Sequence, residues 1–251
     1  MDKLIYTAFN TVNNLMDNRA VRSQTLANVN VPGFRRDVGA KSVGSAFLNS
    51  METVQSRALA IRDDNNYFET APGTLSQTDY DMDIAIRGSG YFIVQGNGDP
   101  SLTRRGDLNI SPEGLLQNGA NQTMLNANLE PFQVPPNRTM KISDDGDVII
   151  TPMGAADGET QVVGRLALSF GGEVELKKFP DGEIRPVDGS APPIDDEVNI
   201  VPKHVELSNV NITEELVNSI EDQRQYEINI KLISSASEID EGGASLLRMP
   251  G

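Results

Sequence analysis

Near the N-terminus, apolar side chains fall at Ile5, Ala8, Val12 and Leu15, with Phe9 and Met16 beside them. Steps of three and four residues place them on one helical face. No Gly or Pro interrupts before Pro32. The pattern predicts a helix over residues 2–30, roughly 43 Å long at ~1.5 Å per residue. The stripe is incomplete, because Arg19 and Arg22 stand where apolar residues are expected before Leu26 resumes it. A lone helix this polar is marginal.

The C-terminal part shows a matching pattern, with Leu216, Val217, Ile220, Tyr226, Ile230, Ile233, Ala236 and Ile239 at similar spacings. Asn211, followed three residues later by Glu214, reads as an N-cap with capping-box support. Glu215 adds negative charge to the first turn, where the helix dipole favours it. Gly242 and Gly243 mark the expected end. A helix over 212–240 matches the first in length, which suits side-by-side packing.

Between the two, the period changes. IAIRGSGYFIVQ, Ile84 to Gln95, alternates briefly and then runs apolar. RRGDLNISPEGLLQN reads as a hairpin, ISDDGDVII centres on an Asp145-Gly146 turn, and Asp181-Gly182 marks another turn. VVGRLALSF adds a further strand. Short strands punctuated by Gly, Pro, Asn and Asp predict an antiparallel β domain over residues 81–207. Residues 37–80 show little periodicity and read as an extended connector with short helical or strand pieces. The predicted fold is therefore α+β: a central β domain flanked by two long helices that pair as a coiled coil, the inner domain being built from residues 1–36 and 208–251.

Charge supports the pairing. Residues 1–36 carry Lys3, Arg19, Arg22, Arg35 and Arg36 against Asp2 and Asp17, a net +3. Residues 211–251 carry Arg224, Lys231 and Arg248 against eight carboxylates, a net −5. Exposed pairs stabilise by only ~0.2–1 kcal/mol each, so apolar contact must supply most of the energy.

Over all 251 residues the hydrophobic fraction is 38% and there is no tryptophan, a modest core for this length, so part of the apolar surface is expected to be buried in an assembly. A net charge of −15 argues against nucleic acid and anionic membranes as partners. No run approaches the ~20 apolar residues of a membrane span, so the chain is read as not membrane-inserted. MDKLIYTAFNTVNN lacks the unbroken apolar core of a signal peptide, so the mature chain is expected to begin at or near Met1. The absence of cysteine excludes disulfides and thiolate metal sites.

The stretch LANVNVPGF, Leu26 to Phe34, looks like a helix exit. Asn28 and Asn30 take turn conformations readily, Pro32 cannot continue a helix, and Gly33 accepts dihedrals that other residues resist. Phe34 is then expected to anchor the departing chain against the helix pair, with Arg35 and Arg36 facing solvent or the acidic helix.

Extended to LANVNVPGFRR, the stretch resembles the LAN-x-N-T-x-GF-K/R motif of the bacterial flagellar rod, hook and hook-associated proteins. Leu26, Ala27, Asn28, Asn30, Gly33, Phe34 and Arg35 with Arg36 match it; Val31 replaces the usual Thr, and Ser23-Gln24-Thr25 replaces Ala-Asn-Asn. APGTLSQT, DMDIAIRGSGYFIVQ, LTRRGDLNISPEGLLQ and SNVNITEELVNSI follow in the family's order and spacing, so the resemblance covers nearly the whole chain. Asp79 and Asp81 depart from the Gly and Pro often found there. Length, VGRLAL and the tail DEGGASLL are most similar to proximal rod proteins, with distal rod proteins the near competitor.

That resemblance implies a non-catalytic structural subunit without cofactor or metal. It implies export through the flagellar type III apparatus without cleavage, then assembly in the periplasm with further copies and with other proximal and distal rod proteins. The resulting rod transmits torque and surrounds the export channel. The expected assembly motif is Leu26, Ala27, Asn28, Asn30, Gly33, Phe34 and Arg35. The expected helix seam is Ile5, Ala8, Val12, Leu15, Leu216, Ile220, Tyr226, Ile230 and Ile233.

Other candidate chemistry is weaker. Gly88-Ser89-Gly90 lacks the third glycine of a dinucleotide fingerprint and enters a strand, so a tight turn is expected. Asp144, Asp145 and Asp147 lack the spacing and closing glutamate of a calcium loop. His204 is the sole histidine and has no nucleophile-elbow motif to serve. Asp63-Asp64 and Asp195-Asp196 read as solvated charge. The reading from a different class is a periplasmic or extracellular β-domain enzyme or binding protein that its helices merely oligomerise.

Overall fold

The computed structural model describes residues 2–38, 67–156, 158–172, 174–195 and 197–247. Most of the expected connector, residues 39–66, lies outside the described residues. The remainder of it holds the short strands Asp37–Val38, Tyr67–Phe68 and Leu75–Gln77. Two compact units emerge. One contains two long helices, α1 (Asp2–Ala27) and α2 (Ile212–Leu247); the other joins Asn28–Arg36 to Tyr67–Val210 and is β-rich.

In the helical unit, α1 and α2 pack on each other. Helix α1 ends at Ala27, three residues short of the expected Asn30, because Asn28 begins a turn: its carbonyl accepts from Val31 N at 3.0 Å. The N-cap of α2 is the expected Asn211, whose Oδ1 accepts from Thr213 N at 3.1 Å and whose carbonyl accepts from Glu215 N at 3.0 Å. Gly242 and Gly243 do not end α2, which runs on through Leu247. A helical glycine costs only about 1 kcal/mol relative to alanine, too little to stop a helix whose neighbours support it.

The β unit is antiparallel in every strand pairing among its described residues. Its five-stranded sheet runs Leu168–Ser169, Tyr91–Gln95, Pro100–Thr103, Ile184–Pro186, Leu176–Lys178. A three-stranded sheet joins Gln161–Arg165, Asp147–Pro152 and Asn137–Ile142, and its hairpin turns at Gly146 (φ 85°), where Gly146 N donates to Ser143 O. The second expected turn is present too, with Gly182 N donating to Phe179 O. Leu108–Ile110 pairs with Leu116–Asn118 as the expected hairpin. Two short pairs, Ile200–Pro202 with Ile84–Ile86 and His204–Glu206 with Leu75–Gln77, bring the last strands of the unit against its first.

The apolar run Tyr91–Val94 follows from its position between two cores. Phe92 and Val94 enter the cluster that holds Ile84, Met124, Ile150 and Leu166, whereas Tyr91 and Ile93 point into one with Leu102, Leu125 and Ile184. A strand covered on both faces has no polar side to alternate with. Asp79 supplies φ 64° itself, the left-handed turn for which Gly is the usual choice.

Candidate functional site

Within the β unit, the exit stretch folds as a double turn. Val31 N donates to Asn28 O and Phe34 N to Val31 O, at 3.0 and 3.2 Å. Gly33 adopts φ 66°, and a Cβ there would fall inside the backbone of Arg104 and Arg105. Only glycine fits such a conformation and approach together. Its N–H donates to Glu206 O at 2.7 Å, tying the turn to the strand His204–Glu206.

Glu206 is the hub of this region. Arg35 Nη1 lies 2.8 Å from its Oε1 and Arg104 Nε 2.7 Å from its Oε2, and all three side chains are essentially out of water. The second contact is a charge pair not aligned as a hydrogen bond. Gly73 N also donates to Oε1, at 2.7 Å. Each guanidinium then reaches a turn: Arg35 Nη1 donates to Ala71 O, and Arg104 Nη1 and Nη2 donate to Gly90 O and Gly88 O. Burial pushes the Arg104 guanidinium below its ordinary pKa against the opposing pull of Glu206, and it raises the Tyr91 phenol beside it. The Gly88-Ser89-Gly90 turn is thus a ledge held by Arg104.

Lys178 reinforces the exit. It is buried, its Nζ donates to Arg35 O at 3.1 Å and stands 4.2 Å over the Phe34 ring. Asn209 accepts from Arg36 N at 2.8 Å and donates to Glu69 O and Ala71 O. Phe34 therefore packs under a β-unit lysine. Arg35, expected at the surface or against the acidic helix, is 3% exposed; its carboxylate partner comes from the strand His204–Glu206. Among the other motif residues, Gly33 is buried, Leu26 and Asn28 are half-buried, and Ala27 and Asn30 are exposed.

The helix unit distributes its side chains unexpectedly. On α1, Ala8, Val12 and Leu15 are buried, as is Thr25; the side chain of Ile5 lies outside the described residues. On α2 the sheltered positions are Glu215, Asn218, Ser219, Asp222, Tyr226, Asn229, Ile233 and Ala236, which fall on one helical face. This face is largely polar. Leu216, Ile220 and Ile230 are exposed, at 51%, 70% and 42%, so three of the five α2 seam candidates lie on other faces. Arg22, out of place in an apolar stripe, is matched to the acidic face: it meets Glu215 at 3.1 Å and Asp222 at 2.5 Å. Burial pulls its pKa down, but the hydrogen bonds to both carboxylates outweigh this and hold it above the ordinary value.

Sequence reasoning missed Glu206, Arg104, Lys178 and Asn209, because polar residues distant in sequence carry no periodic signature. His204 lies in a strand, its Nδ1 2.8 Å from Pro202 O. The Asp144-Asp145 pair forms a hairpin turn; Asp63, Asp64 and Asp196 lie outside the described residues. Among the described residues no helix is long and apolar enough to cross a membrane.

Comparison with known proteins agrees with this anatomy. Residues 201–246 match the domain described as "Flagellar basal body rod FlgEFG protein C-terminal", and residues 85–150 match "Flagellar hook protein FlgE/F/G D1 domain". The chain is 28% identical to flagellar basal-body rod protein FlgF of Salmonella typhimurium, with 98% of each chain covered. It is 32% identical to flagellar basal-body rod protein FlgG of Buchnera aphidicola subsp. Schizaphis graminum over 88% of this chain and 91% of that one. With FlgF of Escherichia coli it shares 26% over 95% of each.

Proposed function

The chain belongs to the flagellar basal-body rod protein family, and on that premise we propose that it is a non-catalytic subunit of the proximal rod, assembling side by side with further copies and with other rod proteins. The observation that carries this reading is the inverted pattern of α2. Its sheltered face is mostly polar, while Leu216, Ile220, Ile228 and Ile239 are 51–70% exposed. Apolar surface left open on a long helix is surface for other helices.

Angular position sharpens the point. At ~100° per residue, Ile212, Leu216, Ile220 and Ile230 fall on one flank of α2, and Val217, Ile228, Leu232 and Ile239 on the back. Three faces therefore need cover, and α1 covers one. A coiled coil of α1 and α2, continued laterally by neighbouring helix pairs, buries the other two; such an array forms a shaft that transmits torque and surrounds an export channel. Export through the type III apparatus without cleavage and a periplasmic site of assembly belong to the same reading. FlgF and FlgG proteins both match along nearly their whole length, so the proximal position rests on the chain's length and on the VGRLAL and DEGGASLL stretches.

The test is sedimentation velocity of the full chain against an Ile220→Ser/Ile239→Ser variant, both residues being exposed in the single chain. The reading predicts polymers for the former and a monomer with unchanged β-unit melting for the latter. Equal association of the two chains contradicts it.

A further inference from the structure

Helix α1 carries an open apolar face of its own. Phe9 and Met16 are 55% and 51% exposed, and Ala20 and Ala27 are exposed with them. At ~100° per residue these four fall within roughly 40° of one another, a stripe turned about 140° from Arg22, the residue that meets α2. On α2, the flank (Ile212, Leu216, Ile220, Ile230) and the back (Val217, Ile228, Leu232, Ile239) lie on opposite sides of its sheltered face.

Helix direction decides which of these faces can meet the α1 stripe of another copy. The two helices run antiparallel, because Arg22, near the end of α1, meets Glu215 and Asp222, near the start of α2. Viewed down the pair, residues therefore wind in opposite senses on the two helices. The α1 stripe and the α2 flank come out on one side of the pair, and the α2 back comes out on the other. Joining stripe to back needs little rotation between copies, so the contact repeats as a gently curved layer. Joining stripe to flank turns each copy by more than a right angle, and such a series closes within a few copies.

Charge agrees. Arg19 borders the α1 stripe, whereas Glu214 and Glu221 lie on the α2 back, and all three are exposed. Two α2 backs placed together would set these carboxylates against their own copies, which like charges disfavour.

We propose that the α1 stripe receives the back of α2 from a second copy of this chain. The partner rests on the rod-subunit reading; the choice of faces rests on winding and charge. Each copy then offers one face of each kind, the head-to-tail arrangement that extends into an array instead of stopping at a dimer.

The chain has no cysteine, so introduced thiols report the contact cleanly. An Ala20→Cys chain is mixed, at a concentration that gives polymers, with chains carrying a single cysteine either on the back (Val217→Cys, Ile228→Cys, Leu232→Cys or Ile239→Cys) or on the flank (Leu216→Cys, Ile220→Cys or Ile230→Cys). A short bis-maleimide is added, and joined pairs are counted by mass. All these positions are exposed, and unchanged circular dichroism confirms that each variant folds. The best back position is expected to give about tenfold more joined pairs than any flank position, because neighbours held face to face react as if within one molecule. Polymers in which a flank position joins Ala20→Cys as well as any back position overturn the choice of faces and leave the rod reading intact. Ala20→Cys chains that join chiefly to each other overturn the head-to-tail order. A parent chain that stays monomeric at every concentration overturns both the contact and the rod reading.

Discussion

Glu206 Oε1 and Arg35 Nη1 lie 2.8 Å apart out of contact with water, so the residue that ends the helix-exit motif is fastened to the last strand of the β unit. The exit is therefore more than the end of a helix. It binds residues 33–36 to the β unit, as Asn209 does through Arg36 N. Replacing Glu206 with Gln leaves Arg35 and Arg104 buried without a counter-charge. The expected loss is about 3–5 kcal/mol, the range for breaking a buried ion pair from one side. Urea unfolding of the full chain followed by near-UV circular dichroism measures it, and a change within about 0.5 kcal/mol removes Glu206 from its place as hub.

Gly33→Ala and Gly88→Ala separate strain from collision. Both glycines have positive φ, 66° and 80°. A Cβ at Gly88 meets nothing within 4 Å, whereas at Gly33 it runs into the backbone of Arg104. Gly88→Ala is expected to cost only the conformational ~1–2 kcal/mol of a left-handed alanine. Gly33→Ala costs more, because the exit turn must move off the strand to which it is bonded. Thermal melts of the two variants at one pH decide this, and equal costs refute the close-approach argument.

Much of the β unit was legible in advance. Asp145-Gly146 and Asp181-Gly182 are local turn signals, and local signals need no knowledge of the rest of the chain. The Tyr91–Val94 run was legible as a strand, though not as one between two cores. Helix faces were harder. Spacing shows that apolar residues recur; it does not show which face meets which partner, and on α2 the face turned to α1 holds Glu215 and Asp222. The hub was illegible because Arg35, Arg104 and Glu206 each look like ordinary solvated charge until the fold brings them together.

Arg22 tests the polar seam. Glu215 is almost wholly buried, and it faces Arg22 across the helix pair. Arg22→Met removes the cation shared by Glu215 and Asp222, so it should loosen α2 more than Glu215→Gln, which removes one of the two carboxylates. A double-mutant cycle read by amide exchange in α2 is expected to give a coupling of about 1–3 kcal/mol. Additive effects place the two side chains out of contact.

Asp147 carries a pH signature. A hydrogen bond from Arg165 holds its carboxyl below the usual carboxylate pKa. A depressed folded pKa stabilises the fold above the unfolded value, about 3.9, and that gain is lost as pH falls from there through the folded value. Both side chains are about a third exposed, so the effect is below about 1 kcal/mol. Asp147→Asn should melt slightly below the parent chain at pH 6 and together with it near pH 2. A gap that persists or widens in acid reverses the assigned sign.

On the proposed reading, the terminal helices find their full set of neighbours only in an assembly. Far-UV circular dichroism and sedimentation velocity, taken together on the full chain from dilute to concentrated, test it most directly. Helix content that rises in step with polymer formation is the predicted result. A monomer that already holds both helices at full strength and stays monomeric at every concentration contradicts the account.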